Sequence, residues 1–368
     1  MQDTQSYRRP TRAEADLAAR AAPRRRRRRR SGWRRRIGLL LLLVFVVVVA
    51  GGVLVWQRAV AFNDAVSTEP ALSMRLFGPL SGGDRVNILL LGYSDESREG
   101  AFLSDSMNVV SIDRATDTTT MIPIPRDLWV EGVPEVPQNM KANEAFRIGT
   151  YEAGLEYGAE LASKAVSRIT GLEIHGWITL DFQGFEAMVD ALDGITLDNP
   201  TAFSYTWDEG SYFAGDFPSS FAAGALQLDG RQALDYARSR YTSVVTESSD
   251  FARLVRQQRV LQAIRKEVVG WQALPRGLAV SESLAGHLRT NLPVLDLAML
   301  TGKLDIDRRV ELLEGETLVA STNTIGQYIL VVTGQAATTD YSPLHDYIDA
   351  ALREPIPVAS PSPSGAVP

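Results

Sequence analysis

The strongest chemical signal in the sequence is a cluster of arginines in its second half. Residues 238–267 contain six arginines and one lysine against three acidic residues, whereas residues 37–368 as a whole carry a formal net charge of −17. Guanidinium groups stay charged and bind phosphate through two parallel hydrogen bonds. This local reversal of sign indicates a site for a phosphate-containing anion.

Four residues of this region are spaced so that their side chains could face the same bound anion. Arg253 and Gln257 are four residues apart, so on a helix they lie on one face, beside an apolar stripe that includes Leu254. Arg238 and Arg240 share a face if the chain is extended there. Together these donors suit an anion the size of a diphosphate. The other arginines project away from the stripe and are expected on a solvated helix face. They are Arg256, Arg259 and Arg265.

Two more groups of polar residues lie next to apolar segments that are predicted to be strands. Arg126 and Asp127 come directly after such a segment, where ligand sites of α/β sheets tend to lie, although an Arg-Asp pair is also common as a loop salt bridge. Asp105 and Ser106 enter a neighbouring strand, and one carboxylate with hydroxyl and phosphate oxygens suits Mg²⁺ (or Mn²⁺). A capping role is the alternative for Asp105. Lys141 repeats the pattern of a polar group after an extended segment.

Alternating strands and helices must position these side chains. Apolar runs bounded by turn residues predict strands, and apolar residues at helical spacing predict helices. A long helix is expected from Asn143 to Ile169, and Asp250 is expected to be the N-cap of a helix that runs to about Val269. The predicted strands are Val86–Leu91, Met107–Ile112, Thr118–Ile124, Trp177–Leu180, Ile195–Leu197 and Tyr328–Val332. The other predicted helices are Phe185–Leu192 and Leu228–Ala237, and residues 201–224 are expected to be irregular.

The N-terminal part of the sequence predicts insertion into a membrane. Residues 37–56 contain no charged residue, and at about 1.5 Å per residue they span a hydrocarbon core of roughly 30 Å. Residues 1–36 hold 14 arginines against three acidic residues, and such a flank stays in the cytoplasm. We therefore expect a single-pass cell-membrane protein whose bulk is extracytoplasmic. A cleaved signal peptide and a nucleic-acid patch are weaker alternatives, because the apolar run is long and directly follows the arginines.

Composition excludes several kinds of site. The chain of 368 residues contains no cysteine, which excludes disulfides, iron–sulfur clusters and thiol nucleophiles. Its three histidines are far apart in sequence, so a histidine-rich metal site is not expected. Stability must come from a hydrophobic core.

Seven segments form an ordered set of motifs. They are Val86–Gly92 (VNILLLG), Ser104–Met107 (SDSM), Pro125–Val130 (PRDLWV), Lys141–Phe146 (KANEAF), Phe182–Ile195 (ending MVDALDGI), Leu228–Arg240 (LDGRQALDYARSR) and Asp250–Lys266 (DFARLVRQQRVLQAIRK). In this order they resemble the LytR-CpsA-Psr (LCP) family of bacterial cell-envelope proteins. Ser106 and Ala252 stand where that family usually has threonine and glycine, and neither change removes a charge.

The resemblance implies an α/β fold, an α/β/α sandwich with a central mixed sheet. It also implies a phosphotransferase that moves a glycopolymer from a polyprenyl diphosphate carrier onto peptidoglycan, working beside the lipid bilayer and not on nucleic acid. A hydrolase of polyprenyl-diphosphate-linked substrates and a noncatalytic envelope binding or regulatory protein are the alternatives. The expected organisation is a cytoplasmic tail (1–36), an anchor (37–56), a stalk (57–84), the LCP catalytic domain (85–270), a C-terminal part of the globular region (271–354) and a disordered Pro/Ser tail (355–368).

The resemblance also assigns roles by position. The implied diphosphate-binding residues are Arg126, Arg238, Arg240, Arg253 and Gln257, with Lys141. The implied metal ligand is Asp105, and the expected catalytic residues are Arg126, Arg240 and Asp250. Asp127 is the other candidate for the general base, although an arginine-rich setting makes any carboxylate a poorer base.

Overall fold

The structure is a computed structural model that divides the chain into two compact units, Met1–Trp56 and Gln57–Pro368. The described residues are 12, 49, 52–71, 73, 84–94, 100–136, 138–205, 219–239, 242–268, 273–303, 305–334 and 340–354. In the first unit residues 12, 49 and 52–56 are helical. No helix within the described ranges has both the length and the hydropathy needed to cross a bilayer. The predicted tails, 1–36 except residue 12 and 355–368, and most of the predicted anchor lie outside those ranges.

The second unit alternates strands and helices. Its strands are β1 (Arg85–Tyr93), β2 (Ser104–Asp113), β3 (Thr118–Pro123), β4 (Trp129–Val130), β5 (Met140–Lys141), β6 (Gly176–Asp181), β7 (Ile195–Asn199), β8 (Phe203–Tyr205), β9 (Ser219–Phe221), β10 (Gly224–Leu228), β11 (Leu288–Thr290), β12 (Arg308–Arg309), β13 (Leu318–Thr322) and β14 (Tyr328–Val332). Its helices are α1 (Glu144–Ala153), α2 (Leu155–Thr170), α3 (Phe182–Ala191), α4 (Gly230–Arg238), α5 (Asp250–Val268), α6 (Ala273–Leu284), α7 (Val294–Gly302) and α8 (Ser342–Arg353).

A six-stranded sheet with the order β11-β6-β1-β2-β3-β12 forms the centre of this unit. The pairs β1–β6 and β3–β12 are parallel, and β1–β2, β2–β3 and β6–β11 are antiparallel. The expected α/β fold with a central mixed sheet is confirmed. Both edge strands come from residues after 270, so the C-terminal part of the chain completes the sheet.

Both faces of the sheet are buried, because side chains alternate along each strand. Leu89 and Leu91 of β1 pack into a core with α1, α2 and α8. Val86 and Ile88 point to the other face, where Leu300 of α7 covers them. The apolar run of β1 is explained by this burial on two sides.

A second core joins α3, α4 and α5 to the small β7–β10 sheet. Val189 of α3, Tyr236 of α4 and Ile264 of α5 are buried together with Ile195 and Leu228 of the two strands. This core brings the C-terminal end of α4, which carries Arg238, beside α5, which carries Arg253, Arg256, Arg259 and Arg265 of the predicted arginine cluster.

Two predicted helix boundaries are wrong. The helix expected over residues 143–169 is broken at Gly154, whose φ of 94° and ψ of 176° suit glycine alone. The break lets α1 and α2 pack closely, since a Cβ on Gly149 would lie 2.8 Å from the Cα of Gly158. Asp250 is the first residue of α5 and not its N-cap. The Ala252 N–H donates to Ser249 Oγ at 3.0 Å, which makes Ser249 the cap.

The first part of the expected stalk packs on the domain. We call residues 57–71 the docked segment; its residues 57–66 are helical. Ser67 pairs with Thr290 at the end of β11, and the Val294 N–H donates to Asn63 Oδ1 at 2.9 Å. Asn63 and Val66 are only 1% and 2% exposed. These residues are therefore part of the folded domain and not a spacer.

Candidate functional site

The candidate site lies at the strand ends on one side of the sheet, where β1 and β3 end and β2 begins. Asp105 is the second residue of β2, beside a register shift between Gly92 and Tyr93 of β1. Its Oδ1 accepts a hydrogen bond from Arg126 Nη1 at 2.9 Å, and its Oδ2 lies 3.9 Å from Arg238 Nη2. Residues from three separate motifs therefore meet at one carboxylate.

Asp105 is held as a carboxylate. Burial raises the pKa of this carboxyl, but Arg126, Arg253 and Arg238 outweigh burial and hold the pKa below its usual range. The Asp105 side chain is 20% exposed, so the charged group still reaches solvent. At neutral pH Asp105 is therefore a negative charge next to three positive ones, those of Arg126, Arg238 and Arg253.

Asp127 joins Arg126 to Lys141. It accepts a hydrogen bond from Arg126 Nε at 3.3 Å on one oxygen and from Lys141 Nζ at 2.7 Å on the other. The backbone keeps these residues in place, since β4 pairs with β5 and the Asn143 N–H donates to the Arg126 carbonyl at 3.1 Å. Asp127 is 5% exposed and has both oxygens in ion pairs, so it orients two cations and is a poor general base.

Arg238 is the last residue of α4. The helix starts with a capping box, in which Asp229 and Gln232 satisfy each other's backbone N–H groups. At its other end the Arg238 guanidinium lies over the ring of Phe182, 4.4 Å from the centroid. This cation–π contact on the first residue of α3 aims Arg238 at Asp105.

Helix α5 supplies Arg253 and Gln257 to the same place. Arg253 is 4% exposed and is close enough to Asp105 to lower its pKa. Gln257 Oε1 accepts a hydrogen bond from Ser106 Oγ at 3.1 Å, which in turn accepts one from Asn108 Nδ2 at 3.1 Å. Arg253 and Gln257, four residues apart on α5, thus face the start of β2 together, as their spacing predicts.

A comparison with known proteins identifies the family. The model of the LytR_cpsA_psr family matches residues 55–341, which is more than half of the chain. The chain belongs to the LytR-CpsA-Psr family.

Relatives of the chain differ in how they are named. The polyisoprenyl-teichoic acid–peptidoglycan teichoic acid transferase TagU of Oceanobacillus iheyensis is 31% identical over 248 residues, which cover 67% of this chain and 72% of that protein. The regulatory protein MsrR of Staphylococcus aureus is 28% identical over 218 residues, 59% of each chain. The crystal structure of TagV from B. subtilis has a TM-score of 0.54 at 22% identity and covers 74% of this chain and 98% of that one. The last comparison supports the LCP fold.

The structure does not place every residue that the LCP resemblance selects. It brings together Asp105, Arg126, Arg238, Arg253 and Gln257, and it links Lys141 to them through Asp127. Arg240 lies outside the described residues. Asp250 opens α5, but the position of its side chain is also outside them. Their assigned roles stay predictions.

The prediction for Arg256 is wrong. Expected on a solvated helix face, this residue is 0% exposed. Its Nη1 donates to the Glu247 carboxylate at 2.7 Å, and its Nη2 donates to the Ser239 carbonyl. Arg259 is half-buried and donates to the Tyr236 hydroxyl at 3.3 Å, whereas Arg265 pairs with Asp305, an exposed residue. Nothing in the local sequence distinguishes Arg256 from its neighbours, because its partners come from other segments.

Proposed function

We propose that this LCP protein transfers a glycopolymer from a polyprenyl diphosphate carrier to peptidoglycan. One observation carries the proposal: Arg126, Arg238 and Arg253 converge around Asp105 at the strand ends of the central sheet. Arginines bind phosphate oxygens in a planar, bidentate manner and keep their charge. The name of the TagU relative, a polyisoprenyl-teichoic acid–peptidoglycan teichoic acid transferase, supports the same class of donor and acceptor.

The reaction is a displacement at phosphorus. An acceptor hydroxyl oxygen attacks the sugar-side phosphorus, the bond from that phosphorus to the bridging oxygen breaks, and polyprenyl phosphate leaves with that electron pair. The hydroxyl proton passes to a general base. Asp250 is the candidate for that base, because both oxygens of Asp127 are already in ion pairs. The arginines supply most of the acceleration by orienting the diphosphate and neutralising the charge that moves onto the leaving group.

A divalent cation fits the site only together with substrate. Among the described residues no group of three or more carboxylates or histidines could hold a metal by itself. Mg²⁺ commonly binds one or two carboxylates and completes its shell with water and substrate phosphates. Asp105 would supply the carboxylate, and Mg²⁺ or Mn²⁺ would add positive charge that helps to neutralise the diphosphate.

The same proposal includes the membrane. Residues 37–56 would anchor the chain with the arginine-rich tail in the cytoplasm and the catalytic domain outside. A polyprenyl chain is itself a bilayer component, so an anchored enzyme meets its donor in two dimensions. Labelling of an introduced cysteine with a membrane-impermeant thiol reagent tests this: a cysteine at residue 12 should be protected in intact cells, and one at residue 325 should react.

A product assay tests the transfer itself. The purified full-length protein is given peptidoglycan and a short-chain polyprenyl diphosphate that carries an N-acetylhexosamine oligosaccharide. We expect glycan joined to muropeptides through a phosphodiester, seen by mass spectrometry, and about a 100-fold slower reaction for Arg126→Met. Arg85→Met is the matched control, since Arg85 pairs with Asp113 at the opposite end of β2. Released oligosaccharide phosphate without linkage would identify a hydrolase, and an unchanged donor would support a noncatalytic protein.

A further inference from the structure

Arg256 is the most completely buried charged side chain near the site, and the proposed chemistry does not use it. Its guanidinium donates to the Glu247 carboxylate at 2.7 Å, to the Glu247 carbonyl at 3.0 Å and to the Ser239 carbonyl. It also lies over the Phe203 ring, 5.1 Å from the centroid. A single side chain of α5 thus connects the end of α4, the segment before α5 and strand β8.

The residues that Arg256 holds lie between the phosphate-binding arginines in sequence. Ser239, 0% exposed, directly follows Arg238 and directly precedes Arg240. Its N–H donates to the Asp235 carbonyl at 3.0 Å, so it ends α4 as the C-cap. The hydrogen bond to the Ser239 carbonyl therefore holds the C-terminal end of α4, the end that carries Arg238.

Residues 242–248 of that segment form a loop closed by hydrogen bonds and attached to β8. The Thr242 N–H donates to Ser248 Oγ at 3.0 Å, which joins the two ends of the loop. Thr242 also pairs with Tyr205 of β8, and the Ser243 N–H donates to the Ser204 carbonyl at 2.9 Å. Arg256 links this loop to α5, the helix that carries Arg253 and Gln257, by hydrogen bonds, and Val244 of the loop also packs on the core to which α5 contributes.

Burying a guanidinium is costly unless each of its donors meets an acceptor. Burial lowers the pKa of Arg256, and the Glu247 carboxylate opposes that effect. Apolar residues on the same helix, such as Val260, fill the neighbouring core without any charge. The planar fork of arginine gives what an apolar side chain cannot, which is simultaneous hydrogen bonds in fixed directions to two separate chain segments.

We propose that Arg256 is a positioning residue for the diphosphate site: through the Ser239 carbonyl and Glu247 it fixes the end of α4, and with it Arg238, relative to Arg253 on α5. The inference rests on the proposed function, because it assumes that these arginines share one anion. It adds a residue that does not touch substrate. A guanidinium displaced by about 1 Å loses much of its effect on a bound phosphate, so preorganisation has a measurable consequence.

A double-mutant cycle tests the proposal on the full-length protein in detergent. The dissociation constant for farnesyl diphosphate is measured for wild type, Arg256→Lys, Arg238→Ala and the double variant, with thermal unfolding of each. Lysine keeps the charge but lacks the planar fork, so Arg256→Lys should bind about tenfold more weakly. The double variant should lose less than the product of the two single losses, because each change damages the same contact. Arg265→Lys, on the same helix and paired with exposed Asp305, should bind like wild type.

The outcomes separate this inference from the proposed function. Wild type that does not bind farnesyl diphosphate would overturn the proposed function. If wild type binds, two results would overturn only the positioning role. One is a folded Arg256→Lys with the affinity of wild type, and the other is a double variant whose loss equals the product of the two single losses. If Arg256→Lys does not unfold cooperatively, Glu247→Gln replaces it in the cycle. A several-fold weaker affinity coupled to Arg238 supports the proposal, and an unchanged affinity refutes it.

Discussion

Replacing Asp105 by asparagine has opposite consequences for the free protein and for anion binding. The variant keeps the shape of the side chain and removes a negative charge that faces Arg126, Arg238 and Arg253. An amide oxygen can still accept from Arg126, but the charge-assisted hydrogen bond, 2.9 Å long in the wild type, becomes a weaker neutral one. Charge-assisted bonds contribute roughly 1.5–3 kcal/mol to stability, so the free energy of unfolding should fall by about 2 kcal/mol.

The affinity for a diphosphate should rise in the same variant when no metal is present. An anion on the far side of the Arg126 guanidinium would lie about 6 Å from the Asp105 carboxylate, given hydrogen bonds of ordinary length. At an effective dielectric constant of about 20–40, one charge at that distance repels another by about 1.4–2.8 kcal/mol. Asp105→Asn should therefore bind inorganic pyrophosphate about tenfold more tightly in EDTA.

Isothermal titration calorimetry in EDTA measures this directly, and Asp113→Asn is the matched control. Asp113 ends the same strand and pairs with Arg85 at 2.7 Å, but it lies at the opposite end of β2. Its loss should lower stability and leave pyrophosphate affinity unchanged. Adding Mg²⁺ should remove the advantage of Asp105→Asn, since the metal ligand is gone. An affinity for pyrophosphate that is equal to or weaker than that of wild type in EDTA would refute the assignment of these arginines to an anion site.

Two further predictions concern stability. Because the folded-state pKa of Asp105 is lowered, the stabilisation from its ionised form is complete above its unfolded pKa of about 3.9 and is lost as pH falls through the folded value. Urea titrations should show a constant gap between wild type and Asp105→Asn from pH 7 to about 5 that closes below about pH 4; a gap independent of pH contradicts the ion pairs. Gly149→Ala should destabilise by about 1–3 kcal/mol, because its Cβ would meet the α2 backbone 2.8 Å away. Gly277→Ala is the control and should not destabilise the protein, because nothing lies within 4 Å of the added Cβ. Equal melting temperatures for the two variants would argue against close α1–α2 packing.

The strands of the central sheet were predictable because their sequences carry one consistent signal. The run Val86–Leu91 is apolar at every position but one, and only a strand buried on both faces combines that composition with its short length. The helix break at Gly154 was not predictable, since a glycine inside a helical pattern is often tolerated. The cap of α5 was missed by one residue because serine and aspartate are equally good caps.

The candidate site was predictable where charge and spacing agree. Arg253 and Gln257 share a face four residues apart, and the structure turns that face toward Ser106. Arg256 was misplaced because hydropathy treats every arginine as a surface residue, whereas burial of this one depends on Glu247 and Ser239, which are nine and 17 residues away along the chain. Such pairing over distance leaves no periodic trace in the sequence.

The docked segment also protects the protein from self-association. Strand β11 is an edge of the sheet, and the unpaired N–H and C=O groups of an edge strand attract strands of other molecules. The Thr68 N–H donates to the Thr290 carbonyl at 3.2 Å, and Arg289 donates to the Ala65 carbonyl, so the segment lies against that edge. A fragment that begins at Arg85 would expose this edge together with the apolar surface around Leu288. Removing the segment that the sequence predicts to be a stalk should therefore cause aggregation before it affects catalysis.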